Sequence, residues 1–370
     1  MVSITNVRTS NATLKNGPSG LVAVFVGATS GIGLGTLKAF AKSTQEPTAY
    51  IVGRSEKAAA ALLEELQKSN PQGTFHFIES EISLIKNVDA VCEEVKSKES
   101  KVDILFMSPG YLSFDGRTGE SYDANNLPGV RAAANSPTES PEGIDIPHAL
   151  RLYSRLRFAY NLMPLLKTSN TGGRVISILA GGQESPLDVD DLEVRNDFTF
   201  MKAATNGTTQ TTLALEELAK ANPTVTFIHK YPGFVNTGVV DRLLRTAPGL
   251  FWYPAAAVRW LVVPVVNLFS MTVTEAGERG LFLSTSARYP PSSQTKAEQG
   301  YGIAPLPKGV DVAKSSVVQE DGTGNGVYRV GPTDDNAGDD KVLGPYRKDG
   351  TSTKVWESIL SVWERAVARA

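Results

Sequence analysis

Cysteine occurs once in the 370 residues, at Cys92, so no intrachain disulfide can form and a reducing, cytoplasmic compartment fits the composition. Neither sign of charge dominates: 37 Lys and Arg stand against 39 Asp and Glu, with no basic run and no aromatics interleaved among cations. That excludes a nucleic-acid partner or an electrostatic hold on acidic membranes. The first residues, "MVSITNVRTSNATLKNG", lack the continuous apolar core of a secretory signal. Accordingly the "NAT" at Asn11 and "NGT" at Asn206 read as chance matches to the glycosylation pattern. No metal-binding constellation is present; "DVDDLE" (188–193) lacks calcium-loop spacing and has no His or Cys nearby. The longest apolar run, residues 249–269, is interrupted by Pro254, Arg259, Pro264 and Asn267. It is expected to form a helix pair capping an apolar substrate site, with a shallow membrane contact or a subunit interface behind it, rather than a transmembrane span.

What the chain does have is alternation. Short β-branched runs at 21–26, 49–52, 74–78, 102–107, 174–179 and 224–229 read as strands buried on both faces. His76 and His229 fall inside them and read as core residues. Between the strands lie segments with helical apolar spacing at 33–43, 55–69, 84–98, 149–167 and 208–221. Strand and helix in this order predict an α/β, doubly wound parallel sheet covered on both sides. Residues 111–147 form a Gly/Pro/Ser/Asn-rich connection too long for a simple loop, expected to act as a lid. A last strand is expected at 326–330 and a closing amphipathic helix at 354–367. The predicted organisation is one dinucleotide-binding domain, 1–290, with the insertion 111–147 and a substrate lid at 245–272. Residues 291–370 are a C-terminal extension packing on it.

The sharpest motif is "VFVGATSGIGLG" (24–35). A buried strand ends, Gly27 permits a tight turn, Gly31 lets the backbone approach a pyrophosphate, and Gly33 lets helix and strand pack closely. The helix then offers free N–H groups to phosphate, which assigns Thr29, Ser30 and Ile32 to the same cradle. The second strand ends in Arg54 and Ser55, where the adenosine ribose should lie. Arg54 can fork onto a 2′-phosphate, so the cofactor expected is NADP(H) rather than NAD(H).

GATSGIG resembles the short-chain dehydrogenase/reductase (SDR) family, and further landmarks follow in its order over residues 20–290. "ESEIS" puts Glu81 and Ile82 at the adenine contact. "MSPG" puts Ser108, Pro109 and Gly110 after the fourth strand, and "YPGFVNTG" matches the turn that holds the nicotinamide amide. The resemblance implies a Rossmann sheet in the order 3-2-1-4-5-6-7 and nicotinamide-turn roles for Pro232, Gly233, Val235 and Thr237. It also implies a homodimer or homotetramer. "LYSRLRFAYNLMPLL", "NPTVTFIHKYPG" and "GNGVYRV" look like a fungal branch associated with secondary metabolism.

In that family a Tyr phenol exchanges a proton with the substrate oxygen, a Lys four residues on lowers the phenol pKa, a Ser orients the carbonyl and an Asn anchors a water chain. Here the Ser position reads Ala180 and the Asn position Arg151. If Lys202 is the Lys, the Tyr position is Phe198; counting back from "LEELA" gives Thr199 or Phe200 instead. No Tyr lies between Tyr160 and Tyr231 in any register. A positioned acid supplies roughly 10²–10⁴-fold, so the standard relay is absent. Candidate catalytic groups are Lys202, Tyr231 at the end of the sixth strand, Glu184 after the fifth, and Tyr111 at the mouth of the fourth. Ala180, Gln183, Phe198, Phe200 and Tyr153 are expected to line an apolar pocket. Lys202 has a second role open to it, holding the nicotinamide ribose.

Three readings follow. One is an NADP(H)-dependent oxidoreductase of bulky apolar, natural-product-like substrates with a displaced proton donor. Another is a redox-neutral isomerase or cyclase that uses the pocket as a template. The third is a nucleotide-binding pseudoenzyme.

Overall fold

Strand β1 (Val22–Val26) is an unbroken apolar run with every residue buried, and it sits at the centre of the sheet. It pairs in parallel with β2 (Thr48–Gly53) on one side and β4 (Ile104–Met107) on the other. Strands β3 (Thr74–Glu79), β5 (Arg174–Ile178), β6 (Thr226–Lys230) and β7 (Val327–Val330) complete seven parallel strands in the order β3-β2-β1-β4-β5-β6-β7. The chain therefore has the Rossmann topology expected, and the order reverses between β1 and β4, which opens a crevice at the carboxyl ends of those strands. This computed structural model describes residues 1–110, 139–196, 199–245, 247, 252–261, 263–293, 302–320 and 322–369. Most of the anticipated lid 111–147 and parts of the lid 245–272 lie outside that description.

Helices cover both faces because each connection carries one apolar stripe. Helix α1 (Ile4–Ala12), α2 (Gly31–Ser43) and α11 (Val273–Thr285) lie on one side, packed on a core that includes Phe25, Phe40, Phe106 and Phe282. On the other side α4 (Ile85–Lys98), α6 (Ser154–Lys167), α7 (Phe200–Ala221) and α13 (Thr351–Arg369) share a second core, including Val91, Leu156, Leu215 and Trp363. Helix α3 (Glu56–Ser69) flanks β3 and is capped by Ser55, whose side chain accepts the Ala58 N–H. A single helical turn, α5 (Ile146–His148), and a π-helical turn at Ala149–Tyr153 lead into α6. The widened turn sets the direction of the side chains it carries, among them Arg151.

The apolar run at 249–269 contains two short helices, α9 (Trp252–Leu261) and α10 (Val263–Phe269), preceded by α8 (Val239–Arg245). Asp241 of α8 ties to Arg245 and, across to α9, to Arg259. Among the described residues no helix is long and apolar enough to cross a membrane. Beyond β7 come α12 (Leu343–Lys348) and α13, which packs on α7 and α4. There the Trp363 indole donates to the Tyr153 carbonyl at 3.2 Å, with Arg157 over its ring.

Candidate functional site

The glycine loop is fitted to the crevice by contacts that tolerate no side chain. Gly27 has φ +78°, and a Cβ there would lie 2.7 Å from the Pro109 backbone. Gly33 faces the Ser108 hydroxyl, which donates to the Gly27 carbonyl at 3.1 Å. Ser108 and Pro109 thus brace the loop from the end of β4. Gly31, at φ +59°, would carry a Cβ 3.2 Å from Thr237 Cγ2, so the turn after β6 approaches the same point. Ser30 N-caps α2 without a side-chain hydrogen bond, no acid lies in the first turn, and Thr29 and Ser30 are exposed. An uncapped, acid-free helix start flanked by glycines leaves its N–H groups for a phosphate. By that test the residues present fit a dinucleotide.

On the adenosine side Arg54 is exposed at the end of β2, with no hydrogen bond or ion pair among the described residues. Ser55 serves as the α3 N-cap, and Glu79, at the end of β3, accepts the Glu56 N–H. Glu81 turns back to accept the Ser83 N–H, while Ile82 is buried and its carbonyl receives the Ser154 hydroxyl. Gly110 ends the described part of the β4 loop at φ +142°. At the other end of the crevice, Gly233 (φ +69°) packs on Pro332, and Val235 bridges Met271. Thr237 donates its N–H to the Val235 carbonyl.

The positions expected to carry chemistry separate into two groups. Ala180 lies two residues beyond β5, and its N–H donates to His229 Nε2 at 3.2 Å. His229 is fully buried, and burial holds its pKa down to about 3, so the ring is neutral. Accepting at Nε2 leaves the proton on Nδ1, which faces the Thr212 hydroxyl at 2.8 Å; Thr212 in turn donates to Glu184 Oε1 at 2.7 Å. Glu184 also accepts the Gly182 N–H and pairs with Arg329 at 3.4 Å. The carboxylate anticipated as a free acid or base is instead committed within a buried chain that anchors the turn after β5. Gln183 stands exposed at the tip of that turn.

Lys202 lies in the first turn of α7, N-capped by Thr199. Its ammonium is 3.5 Å from Asp188, 3.6 Å from Asp191 and 3.3 Å from the Asn196 carbonyl. It shares no partner with Ala180. Tyr231 follows β6, with its N–H on the Val330 carbonyl. Strand alternation puts it on the same sheet face as His229, the face that α7 covers. Tyr153, expected as a pocket wall, is a core residue: 1% exposed, its ring against His148. Tyr111, Phe198 and the Phe200 side chain lie outside the described residues.

A group that the sequence reading overlooked is Arg155. Buried at 3% exposure, it donates to the carbonyls of Leu150, Met107, Pro109 and Ile178 and to the Ser177 hydroxyl. It clamps the carboxyl ends of β4 and β5 together, satisfying carbonyls that strand ends leave open. One turn earlier, Arg151 lies along α7 where Gly207 leaves room; a Cβ on Gly207 would come within 3.0 Å of Arg151 Cδ.

Comparison with known proteins agrees with this architecture. An oxidoreductase of Emericella nidulans is 38% identical over 371 residues, covering 100% of both chains. The oxidoreductase andH of Emericella variicolor is 32% identical over 370 residues, covering 100% of this chain and 99% of its own. Among solved structures, L-sorbose reductase from Gluconobacter frateurii, complexed with NADPH and L-sorbose, superposes with a TM-score of 0.50. The match is 19% identical over 73% of this chain and 91% of that one, a likeness of fold. The sequence pattern described as short chain dehydrogenase matches residues 21–247. With that match over more than half its length, and with full-length relatives above 30% identity, the chain belongs to the short-chain dehydrogenase family.

Proposed function

We propose that the protein is an NADP(H)-binding oxidoreductase that interconverts carbonyl and alcohol on a bulky apolar, natural-product-like substrate, using a proton donor other than the family's Tyr. The observation that carries this is the glycine loop. Its uncapped helix start and its bracing by Ser108 and Pro109 suit a pyrophosphate. The full-length fungal relatives named as oxidoreductases support the same activity class.

When bound, the nicotinamide would supply or accept the hydride. The protein's residues would do the rest. The first-turn amides of α2 would hold the phosphates, and exposed Arg54 would take the 2′-phosphate through a charge-assisted contact worth roughly 1.5–3 kcal/mol. The turn Pro232–Thr237 would hold the nicotinamide amide. Tyr231, on the α7 face beside the anchored β5 turn, is the residue we assign to proton exchange. The exposed aromatics Trp252, Tyr253 and Trp260 of α9 supply apolar surface for a substrate lid.

NADPH carrying deuterium at C4 tests the assignment, with polycyclic ketones as substrates: the label should appear on the carbinol carbon. Unlabelled product under turnover would replace the proposal by a redox-neutral template reaction, a reading favoured by Ala180 standing at the end of β5. Arg54→Asp should weaken NADPH by about 10–100-fold while leaving NADH nearly unchanged. Equal loss of both would remove the 2′-phosphate assignment.

A further inference from the structure

Arg151 is 7% exposed, yet its guanidinium makes no hydrogen bond or ion pair among the described residues. A cation in that position carries an unreturned desolvation penalty, since buried charges are ordinarily paired.

Its surroundings make the imbalance larger. Arg155, four residues on, is held by four carbonyls and one hydroxyl but by no carboxylate. Among the described residues whose charges act on Arg151 and Arg155, Asp145 is the one anion, and its Oδ2 already accepts the His148 N–H. His229, which feels Arg155, is neutral. Counted over the described residues, the pair of guanidiniums retains one uncompensated positive charge, with Arg155 at the carboxyl ends of β4 and β5 and Arg151 one turn earlier, along α7. The surrounding fold accommodates that charge. Gly207 is the residue of α7 whose missing side chain admits the Arg151 stem, and the π-helical turn sets the helix face that presents it. Lys202, by contrast, is occupied by Asp188 and Asp191.

We propose that Arg151 is the anion-binding group of the substrate cleft and takes a carboxylate-type oxyanion, a delocalised acidic oxygen pair on an otherwise apolar substrate. A planar guanidinium matches that group with two parallel N–H bonds, which an ammonium cannot. The inference rests on reading the cleft at the strand ends as the substrate site, and it adds an acidic group to the apolar substrate proposed above.

Benzoate and its neutral counterpart benzamide serve as probes, titrated calorimetrically into the full-length protein with and without saturating NADPH. Benzoate should bind the wild type at least about tenfold more tightly than benzamide. Arg151→Met should abolish that preference and Arg151→Lys should retain part of it. Gly207→Ala, which crowds the Arg151 stem, should weaken benzoate while sparing benzamide. Because it removes an uncompensated charge, Arg151→Met should also raise the melting temperature of the ligand-free protein; a residue kept for structure would lower it. Benzamide binding as well as benzoate, or Arg151→Met leaving benzoate affinity unchanged, overturns the proposal. NADPH binding is read in the same samples. Failure of NADPH to bind would strike the oxidoreductase assignment, whereas the benzoate titration without cofactor still decides the role of Arg151.

Discussion

His229 links the turn at Ala180 to α7, and its ionisation gives a stability signature that can be worked out in advance. The perturbation is acid. In the unfolded chain the imidazole titrates near 6.5; in the fold, burial and the neighbouring Arg155 and Arg329 charges depress it to about 3. Above pH 6.5 both states are neutral and the group contributes no pH dependence. Below 6.5 the unfolded state takes up the proton and the folded state does not, so stability falls as pH drops, down to about pH 3. The slope is about 1.4 kcal/mol per pH unit, which accumulates to about 2 kcal/mol between pH 8 and pH 5. Urea denaturation at half-unit intervals over that range, on wild type and His229→Gln, isolates the contribution. The variant should be less stable at pH 8 by about 1–2 kcal/mol, the worth of the buried hydrogen bonds it disturbs. Its pH curve should be flatter, and the two should converge near pH 5. Parallel curves would refute the argument, because they would mean that His229 is protonated in the fold or does not hold the Ala180 N–H. A corollary concerns activity: since the folded ring stays neutral from pH 5 to 8, no ionisation of His229 should appear in the rate profile of the native enzyme.

Two further substitutions test the loop and the core. Gly20 and Gly27 have similar positive φ, +71° and +78°, but a Cβ on Gly20 meets nothing within 4 Å whereas one on Gly27 strikes the Pro109 backbone. Gly20→Ala should therefore cost about 1 kcal/mol of conformational strain. Gly27→Ala should add about 1–3 kcal/mol of overpacking and weaken NADPH at least about tenfold; equal melting temperatures for the two variants would show that the loop is looser than its contacts imply. Cys92 is buried in α4 with its thiol pushed up to about 12, so a disulfide reagent should label it at least about 10³-fold more slowly in the native protein than in urea. Rapid native labelling would place that helix among the mobile elements.

The sheet was legible because its signal is local. Runs such as "VAVFV" and "RVISI" are apolar on both faces, and only a strand covered on both sides can bury them. The glycine loop was legible for a similar reason, since each glycine answers a specific close approach. Helices α1 and α11 were missed. Gly277 and Gly280 of α11 dock against Gly35 and Thr36 of α2, so the residues that make that contact look like helix breakers in the sequence. α1 carries little apolar surface of its own and is held by Arg8 and Asn11 reaching Glu278. Arg155 left a trace that went unread: it occupies the buried stripe Leu152, Arg155, Ala159, Leu162, where four-residue and three-residue spacing predicts an apolar side chain. A charge in such a register calls for acceptors, but nothing along the chain says that four backbone carbonyls provide them. The pairing of Glu184 is hidden for the same reason, because its partner Arg329 lies 145 residues downstream.

That distance matters for how the proposed substrate site is built. Gly182, at φ +88°, packs against Ala337 and Gly338, and the Ala337 N–H returns to the Arg329 carbonyl. The guanidinium of Arg329 bonds Glu184 on one side and Asp340 on the other, while Asp340 is shared with Arg347 of α12. Arg347 also grips Glu216 on α7, the helix whose Thr212 completes the chain to His229. The turn bearing Ala180 is thus held at two points, from beneath by β6 and from outside by residues after β7. Losing Arg329 leaves the buried Glu184 carboxylate without its cation, whereas Arg329 without Glu184 keeps Asp340 as a partner. The segment after residue 325 therefore helps shape the floor on which substrate would rest. Arg329→Met should for this reason disturb a ligand bound at Arg151 even though the two side chains belong to different elements and share no partner.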